Sequence, residues 1–218
     1  MRNTVVSVAL AVLFAPAVVV AQDADKKVAG GGDVAPGWQM RIDPNASRGA
    51  PPKFVAMGSG FHATSGARAI YWRPADVGTG NYKVEGTFTL TKAPAHAESY
   101  GLVVAGKDLA GPTQNYIYFT LGGNGSYLIK HRAGDADTQI HTIKEWTPSD
   151  AIAKADASGK STDKLAVVVG AQKIQYMING KEVFSQDRSA LSSTDGIAGL
   201  RVSHNLDVHI SDFKVTKQ

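Results

Sequence analysis

The chain has 218 residues, a formal net charge of +4 and no cysteine, so its fold must be held by its core without disulfide bonds. That length is enough for one domain with a sizeable core. Lysine and arginine are spread along the chain in runs no longer than two, which argues against a nucleic-acid partner.

The first 21 residues predict a signal peptide. Arg2 precedes an apolar run over residues 5–20, and Val19 and Ala21 occupy the −3 and −1 positions of a cut before Gln22. An uncleaved membrane anchor is the competing interpretation, because the run is close to the length of a membrane span. The residues at the cut favour cleavage. The sequence therefore predicts a secreted or periplasmic protein with no membrane span after cleavage, a flexible lead-in at residues 22–36 and one domain over residues 37–218.

Short strands are predicted through the first half of the domain. Trp38, Met40 and Ile42 alternate with polar residues, and further strands are predicted at residues 54–57 and 67–72. The stretch YKVEGTFTLT at residues 82–91 alternates almost strictly, which is typical of a strand with one face on the core and one in water.

A central hairpin is predicted from residues 116–121 (YIYFTL), the turn GGNG and residues 126–132 (SYLIKHR). If Asn124-Gly125 is a two-residue turn, Tyr118 lies opposite His131 and Ile117 lies opposite Arg132. A slip of one residue would reverse the faces of the strand, so this register is a hypothesis.

The second half of the domain adds one short helix and more strands. Ser149 or Asp150 can cap the helix-forming stretch AIAKADA. Asn179-Gly180 between apolar alternating runs predicts a tight hairpin within residues 165–184. With two strands near the C-terminus, the count reaches ten to twelve, which predicts an all-β, antiparallel two-sheet jelly-roll sandwich.

Several stretches carry a resemblance to a known superfamily. They are ING at residues 178–180, DGIAGLRV at 195–202, DFKV at 212–215, GFHATSGARAIYW at 60–72 and YGLVVAGKDLAGPTQNYIYF at 100–119. Together they resemble the concanavalin A-like lectin/glucanase jelly rolls, and most closely exported bacterial domains akin to the 3-keto-disaccharide hydrolase family. The resemblance implies a sandwich fold and a function in binding or cleaving glycans.

The chain departs from the enzymes of that superfamily at their signature positions. It reads Glu98-Ser99-Tyr100-Gly101 where the keto-sugar-cleaving relatives have an Asn-Ser-Gly stretch, and its later strand YIYF has no acid. The Glu-x-Asp-x-x-Glu pattern of the glucanase relatives is absent from the sequence. Whether the protein is an enzyme therefore stays open.

The predicted ligand-binding residues surround the central hairpin. Sugar recognition needs aromatic side chains on which the sugar ring can stack, beside side chains that donate and accept hydrogen bonds. The chain offers Tyr116, Tyr118, Lys130, His131, Arg132 and Trp146. The competing interpretation is that the two tyrosines are ordinary strand aromatics.

Catalytic and metal-binding candidates are few. Asp207 and His209 share a strand face and form a candidate proton-transfer pair. The simpler explanation is that they lie on the solvent-exposed, polar face of that strand. Asp135 and Asp137, with Asp108, are too few oxygens for a Ca²⁺ site, so no cofactor is expected and Ca²⁺ is only an alternative.

Three hypotheses follow. The first is an exported domain that binds a carbohydrate on its concave sheet. The second is an enzyme that cleaves 3-keto-glycosides, with His209 and Asp207 as its base. The third is a structural or interaction domain without a small ligand.

Overall fold

The computed structural model describes residues 34–44, 51–92 and 98–218. The predicted signal peptide, residues 1–21, and residues 22–33 of the lead-in lie outside that part of the chain. Within the described residues, no helix has the length and apolar character needed to cross a membrane.

Fourteen strands make up most of the described residues. They are β1 (Gln39–Ile42), β2 (Lys53–Met57), β3 (Gly60–Ser65), β4 (Ala69–Gly78), β5 (Tyr82–Leu90), β6 (Ser99–Lys107), β7 (Asn115–Gly122), β8 (Ser126–Ala133), β9 (Ile140–Pro148), β10 (Ser161–Val169), β11 (Lys173–Ile178), β12 (Lys181–Asp187), β13 (Gly196–Val202) and β14 (Leu206–Lys217).

The strands form two antiparallel sheets of seven. Sheet I has the order β1-β4-β13-β6-β7-β8-β9, and sheet II has the order β12-β11-β10-β5-β14-β3-β2. Alternate side chains of both sheets meet in one core, which includes the fully buried Phe88, Leu102, Phe119, Tyr176 and Leu200. The all-β two-sheet sandwich predicted from the sequence is confirmed.

The predicted short helix at residues 149–157 is wrong. Ser149 starts a single turn, with its hydroxyl accepting from the amide of Ala151 at 3.2 Å. The amide of Ala153 donates to the carboxylate of Asp163 at 2.7 Å instead of continuing a helix. A side-chain acceptor on β10 therefore ends the turn before a helix can propagate.

The hairpin between β11 and β12 turns at Asn179-Gly180 as predicted. Ile178 lies opposite Lys181, and both turn residues have positive φ, 50° and 82°. The Asn179 side chain also ties this turn to its surroundings. Its amide nitrogen donates to Ala151 O at 2.8 Å and to Asp163 Oδ1 at 2.7 Å, and its Oδ1 accepts from Lys164 N at 2.8 Å.

Asn179→Ala is expected to lower the free energy of unfolding by about 2–4 kcal/mol, because three hydrogen bonds are lost and alanine disfavours positive φ. Asn179→Gly removes the same hydrogen bonds but accepts the backbone conformation. Urea unfolding of the two variants therefore separates the causes, and we expect glycine to cost less than alanine. Equal stability of both variants and the wild type would contradict the role given to Asn179.

The central hairpin of β7 and β8 differs from the predicted register by one residue. Its loop has three residues, 123–125, with Gly125 at φ 78°, so Gly122 pairs with Ser126. Tyr118 consequently lies opposite Lys130, and Ile117 lies opposite His131. A three-residue loop with a left-handed glycine is a common alternative to the two-residue turn, and it reverses the face of every residue on β8.

Candidate functional site

The register of β7 and β8 divides the predicted ligand-binding residues between two faces of sheet I. Tyr116, Tyr118, Lys130 and Arg132 lie on the outer face, which is the side away from sheet II. His131 pairs with Ile117, a member of the core between the sheets, and so lies on the inner side. The predicted residues therefore do not form one site.

Tyr116 and Tyr118 are packed within the outer face. They are 0% and 6% exposed, in a cluster with Ile70, Trp72 and Leu128. Arg201 of β13 donates from Nη1 to the Tyr116 hydroxyl at 2.9 Å, and its guanidinium lies 4.6 Å from the centre of the Tyr118 ring. Burial raises the pKa of both phenols, so both remain neutral at pH 7. Each tyrosine has a protein partner that accounts for its position.

A buried cluster of charges lies beside these tyrosines. The carboxylate of Asp43 is 2.7 Å from Arg201, 2.9 Å from Arg68 and 3.5 Å from Arg132. Burial alone would raise the pKa of Asp43, but the arginines, Arg201 above all, hold it below its usual value. Asp43 therefore remains ionised and compensates the guanidinium groups that surround it.

Trp146 and Lys130 are the more accessible of the predicted residues on the outer face. Trp146 is 45% exposed, and its ring lies over Gly122, where an added Cβ would be 3.0 Å from a ring carbon. Lys130 is half-buried on the neighbouring strand. Their role in ligand binding stays a prediction.

His131 lines a cavity of about 510 Å³ at one end of the sandwich, which we call the hairpin cavity. Its walls come from the end of β6, the start of β7, β8 and the segment 190–193. The polar residues that line it include Lys107, Asp108, Thr113, Asn115 and Ser192. Cavities of this volume with a few convergent polar groups are the usual sites for small ligands.

The polar groups of the hairpin cavity are held in place by one another. His131 Nε2 is 2.9 Å from Asn115 Oδ1, an acceptor, so Nε2 carries the proton of the neutral ring. Burial lowers the pKa of His131, and the neighbouring His141, whose ring centre is 6.1 Å away, lowers it further. Asp108 Oδ2 accepts from the amide of Thr113 at 3.0 Å and from its hydroxyl. The cavity thus offers a neutral imidazole, an amide and a carboxylate to a hydroxylated ligand.

Asp207 and His209, the predicted proton-transfer pair, lie on the outer face of sheet II. Asp207 Oδ1 lies 2.7 Å from Nε2 of His62 on β3, and it also accepts from the Thr91 hydroxyl at 2.8 Å. His209 pairs with His62 across the strands, and the ring centres are 6.3 Å apart. His62 was not expected from the sequence, because its position depends on the pairing of β3 with β14.

The carboxylates proposed as Ca²⁺ ligands have protein partners. Both oxygens of Asp135 accept from Arg41, at 2.7 and 2.9 Å, and Oδ1 also accepts from Gln114. Across residues 34–44, 51–92 and 98–218, no group of three or more His, Asp or Glu residues is arranged to hold a metal ion.

Two carboxylates of sheet II have strongly lowered pKa values. Glu85 is within 2.8–3.2 Å of Lys83, Lys164 and Lys214. Burial alone would raise the pKa of Glu85, but hydrogen bonds from these lysines lower it to about 2. The hydrogen bond from His62 likewise lowers the pKa of Asp207 to about 2.

Stability is expected to fall as the pH is lowered from about 4.5 to 2. The unfolded chain takes up protons on these two carboxyls near their ordinary pKa values of 4.5 and 3.8, whereas the folded protein keeps both ionised until about pH 2. Each carboxyl contributes on the order of 1–2 kcal/mol above pH 4.5, and that contribution is lost over this interval.

Urea unfolding at pH 3 and pH 6 measures this loss. Glu85→Gln should flatten the pH dependence more than Asp150→Asn does, because Lys181 lowers the pKa of Asp150 only at the exposed surface, where solvent screens the pair. If the unfolding free energy of Glu85→Gln depends on pH as steeply as that of the wild type, the lowered pKa of Glu85 is contradicted.

Comparison with solved structures shows which known proteins share this fold. No family model matches the sequence, and no curated protein matches it. Among solved structures, a carbohydrate binding module, CBM66 from Bacillus subtilis, superposes with a TM-score of 0.58 at 11% identity, covering 85% of this chain and 100% of that one. A Bacillus subtilis protein of unknown function with a galectin-like fold gives 0.49 at 14% identity, covering 83% and 89%. This protein therefore shares the jelly-roll sandwich fold of that carbohydrate binding module.

Proposed function

We propose that this protein is an exported carbohydrate-binding sandwich that holds a saccharide in the hairpin cavity. The observation that carries the proposal is the cavity itself, with a volume of about 510 Å³ and a neutral His131 fixed by Asn115. Sugar hydroxyls both donate and accept, so a site for them needs neutral and anionic acceptors beside donors. The resemblance to a carbohydrate binding module makes saccharides the first ligands to test.

The proposal changes the role of the residues predicted from the sequence. His131 becomes the central contact. Tyr116, Tyr118 and Arg132 are buried in contact with Arg201, Asp43 or the main chain and support the fold. Lys130 and Trp146 remain candidates for a second, exposed contact surface on the outer face of sheet I.

His131→Ala tests the proposal. Removing the imidazole leaves Asn115 without its partner and takes away a ligand donor or acceptor, so we expect saccharide affinity to fall about 5- to 150-fold. The measurement is isothermal titration calorimetry with the sugars that raise the melting temperature in a screen of mono- and oligosaccharides.

Trp146→Ala is the comparison variant, because it removes the exposed platform and leaves the cavity intact. If Trp146→Ala abolishes binding while His131→Ala does not, the ligand lies on the outer face and the cavity is not the site. If no saccharide binds the wild type, the proposed function fails.

An enzyme acting on 3-keto-glycosides is the second candidate function. The observation that favours it is the imidazole of His62, which is oriented by Asp207 at 2.7 Å and whose Nδ1 has no hydrogen-bond partner among the described residues. An imidazole held by a carboxylate is a common general base. Turnover of a 3-keto-glycoside that His62→Gln or His209→Ala abolishes would support it, and absence of turnover would remove it.

A further inference from the structure

A second cavity adjoins the hairpin cavity. It is an open surface depression with a volume of about 660 Å³, beside the turn between β10 and β11 and the segment 187–195; we call it the loop cavity. Leu191, Ser192 and Ser193 line both cavities. The segment 191–193 is therefore a shared wall, and each cavity alone has the volume of a site for a ligand larger than one sugar ring.

The residues that flank the shared wall are held by hydrogen bonds. Arg188 N donates to Gln172 O at 2.7 Å, and Leu191 N donates to Arg188 O at 3.1 Å, which closes a short 3-10 turn. At the other end of the wall, the buried hydroxyl of Tyr82 donates to Thr194 O. Because the wall is anchored at both ends and lines both cavities, one ligand can contact the two cavities across it.

The charges of the two cavities disfavour an acidic ligand. Arg188 is the single cation among the described residues that line the loop cavity. Its guanidinium already donates to Gly170 O at 3.1 Å and Asn81 Oδ1 at 3.2 Å, and it lies 3.5 Å from Asp195. Asp187 and Asp195 in the loop cavity and Asp108 in the hairpin cavity outnumber Arg188 and Lys107.

A carboxylated or sulfated sugar would therefore meet more carboxylates than cations. A guanidinium fork binds such an anionic group best, and the fork of Arg188 already donates to Gly170 and Asn81. The other polar side chains that line the loop cavity carry hydroxyls and an amide, including Ser189, Thr194 and Gln172, and they lie beside the apolar Ala171 and Leu191. These groups match the hydroxyls of an uncharged sugar.

We infer that the ligand is an uncharged oligosaccharide whose chain crosses the wall at residues 191–193, with at least one sugar unit in each cavity. The inference rests on the proposed function and adds the length and charge of the ligand to it. It assigns the loop cavity as a second subsite, distinct from the hairpin cavity that contains His131.

The test is calorimetric titration with neutral gluco-, manno- and galacto-oligosaccharides of one to five units, and with galacturonic acid oligomers of the same lengths. For the neutral series that binds, affinity should rise at least about tenfold between one unit and three, which corresponds to about 1.4 kcal/mol. The acidic oligomers should bind more weakly than neutral oligomers of equal length at low salt.

Ser189→Trp fills the loop cavity and separates this inference from the proposed function. It should remove the gain with length and leave binding of the single sugar unchanged, since Ser189 does not line the hairpin cavity. Ala157→Trp, at an exposed turn, is the matched control, and its affinity should still rise with oligosaccharide length. Gln172→Ala tests the same subsite without added bulk and should reduce the gain.

Each outcome decides between the two claims. If affinity does not depend on length while His131→Ala still abolishes binding, the second subsite is wrong and the proposed function stands. Tighter binding of the acidic oligomers would overturn the charge assignment. If no oligosaccharide binds the wild type, the proposed function fails and this inference fails with it.

Discussion

Asp43→Ala is expected to lower the free energy of unfolding by about 3–5 kcal/mol, the range for removing one partner of a buried ion pair. Asp43 is 3% exposed and is the carboxylate shared by Arg201, Arg68 and Arg132. Without it, two nearly fully buried guanidinium groups, those of Arg132 and Arg201, lose their counter-ion within the low-dielectric interior.

Urea unfolding followed by circular dichroism measures this effect. For a domain of this size the loss corresponds to a fall in melting temperature of about 6–20 °C. Asp43→Asn keeps one of the two oxygen acceptors and should lose less than alanine. Asp150→Ala is the control, because its carboxylate pairs with Lys181 at the surface and its removal should leave the midpoint unchanged. A loss below about 1 kcal/mol in Asp43→Ala would contradict the structural role of the cluster.

Tyr118→Ala is expected to destabilise the protein by about 3–5 kcal/mol, as for other large aromatic side chains removed from a packed site. Tyr118 is 6% exposed, packs beside Tyr116 with ring centres 5.9 Å apart, and lies against the guanidinium of Arg201. The substitution therefore creates a cavity and removes the cation–π contact. Tyr118→Phe keeps both the volume and the ring, and we expect it to cost little.

Trp146→Ala is the matched comparison for Tyr118→Ala, because its ring is 45% exposed and leaves little cavity. Its effect on stability should be below about 1 kcal/mol. The two variants thus distinguish an aromatic residue that packs the outer face of sheet I from one that is free to contact a ligand there. If Tyr118→Ala leaves stability intact and weakens saccharide binding, Tyr118 is a ligand contact, as the sequence predicted, and not a packed residue.

Local patterns were sufficient for the architecture. The Asn179-Gly180 turn is a short-range signal, because only residues tolerant of positive φ fit it, and its strands followed from the alternation around it. The strict alternation of residues 82–91 likewise predicted β5, with one face on the core. Two antiparallel sheets followed, because such strands must bury one face against another layer.

The faces of the central hairpin could not be predicted in the same way. GGNG is compatible with a two-residue or a three-residue loop, and the difference moves His131 from the outer face to the inner side. The short helix failed for a related reason. The helix propensity of the stretch was adequate, but the amide of Ala153 donates to Asp163, ten residues along the chain, and not to a helical carbonyl.

The candidate site depends on contacts that are distant in sequence. The hairpin cavity brings residues 105–117 against segment 190–193, and the charge cluster joins Asp43 to Arg201 across 158 positions. No local pattern encodes either approach. One signal for the cluster was present, however: Arg201 is a charged residue within the apolar strand GIAGLRV, and a buried strand charge requires a partner.

The most direct test of the central claim is an amide NMR titration of the ¹⁵N-labelled protein with the saccharide of highest affinity. If the ligand occupies the cavities, the shifted amides should cluster at Thr113, Asn115, His131 and segment 190–193. Shifts confined to Lys130, Trp146 and their neighbours on the outer face of sheet I would contradict the account, because they would place the ligand on the opposite side of the sheet.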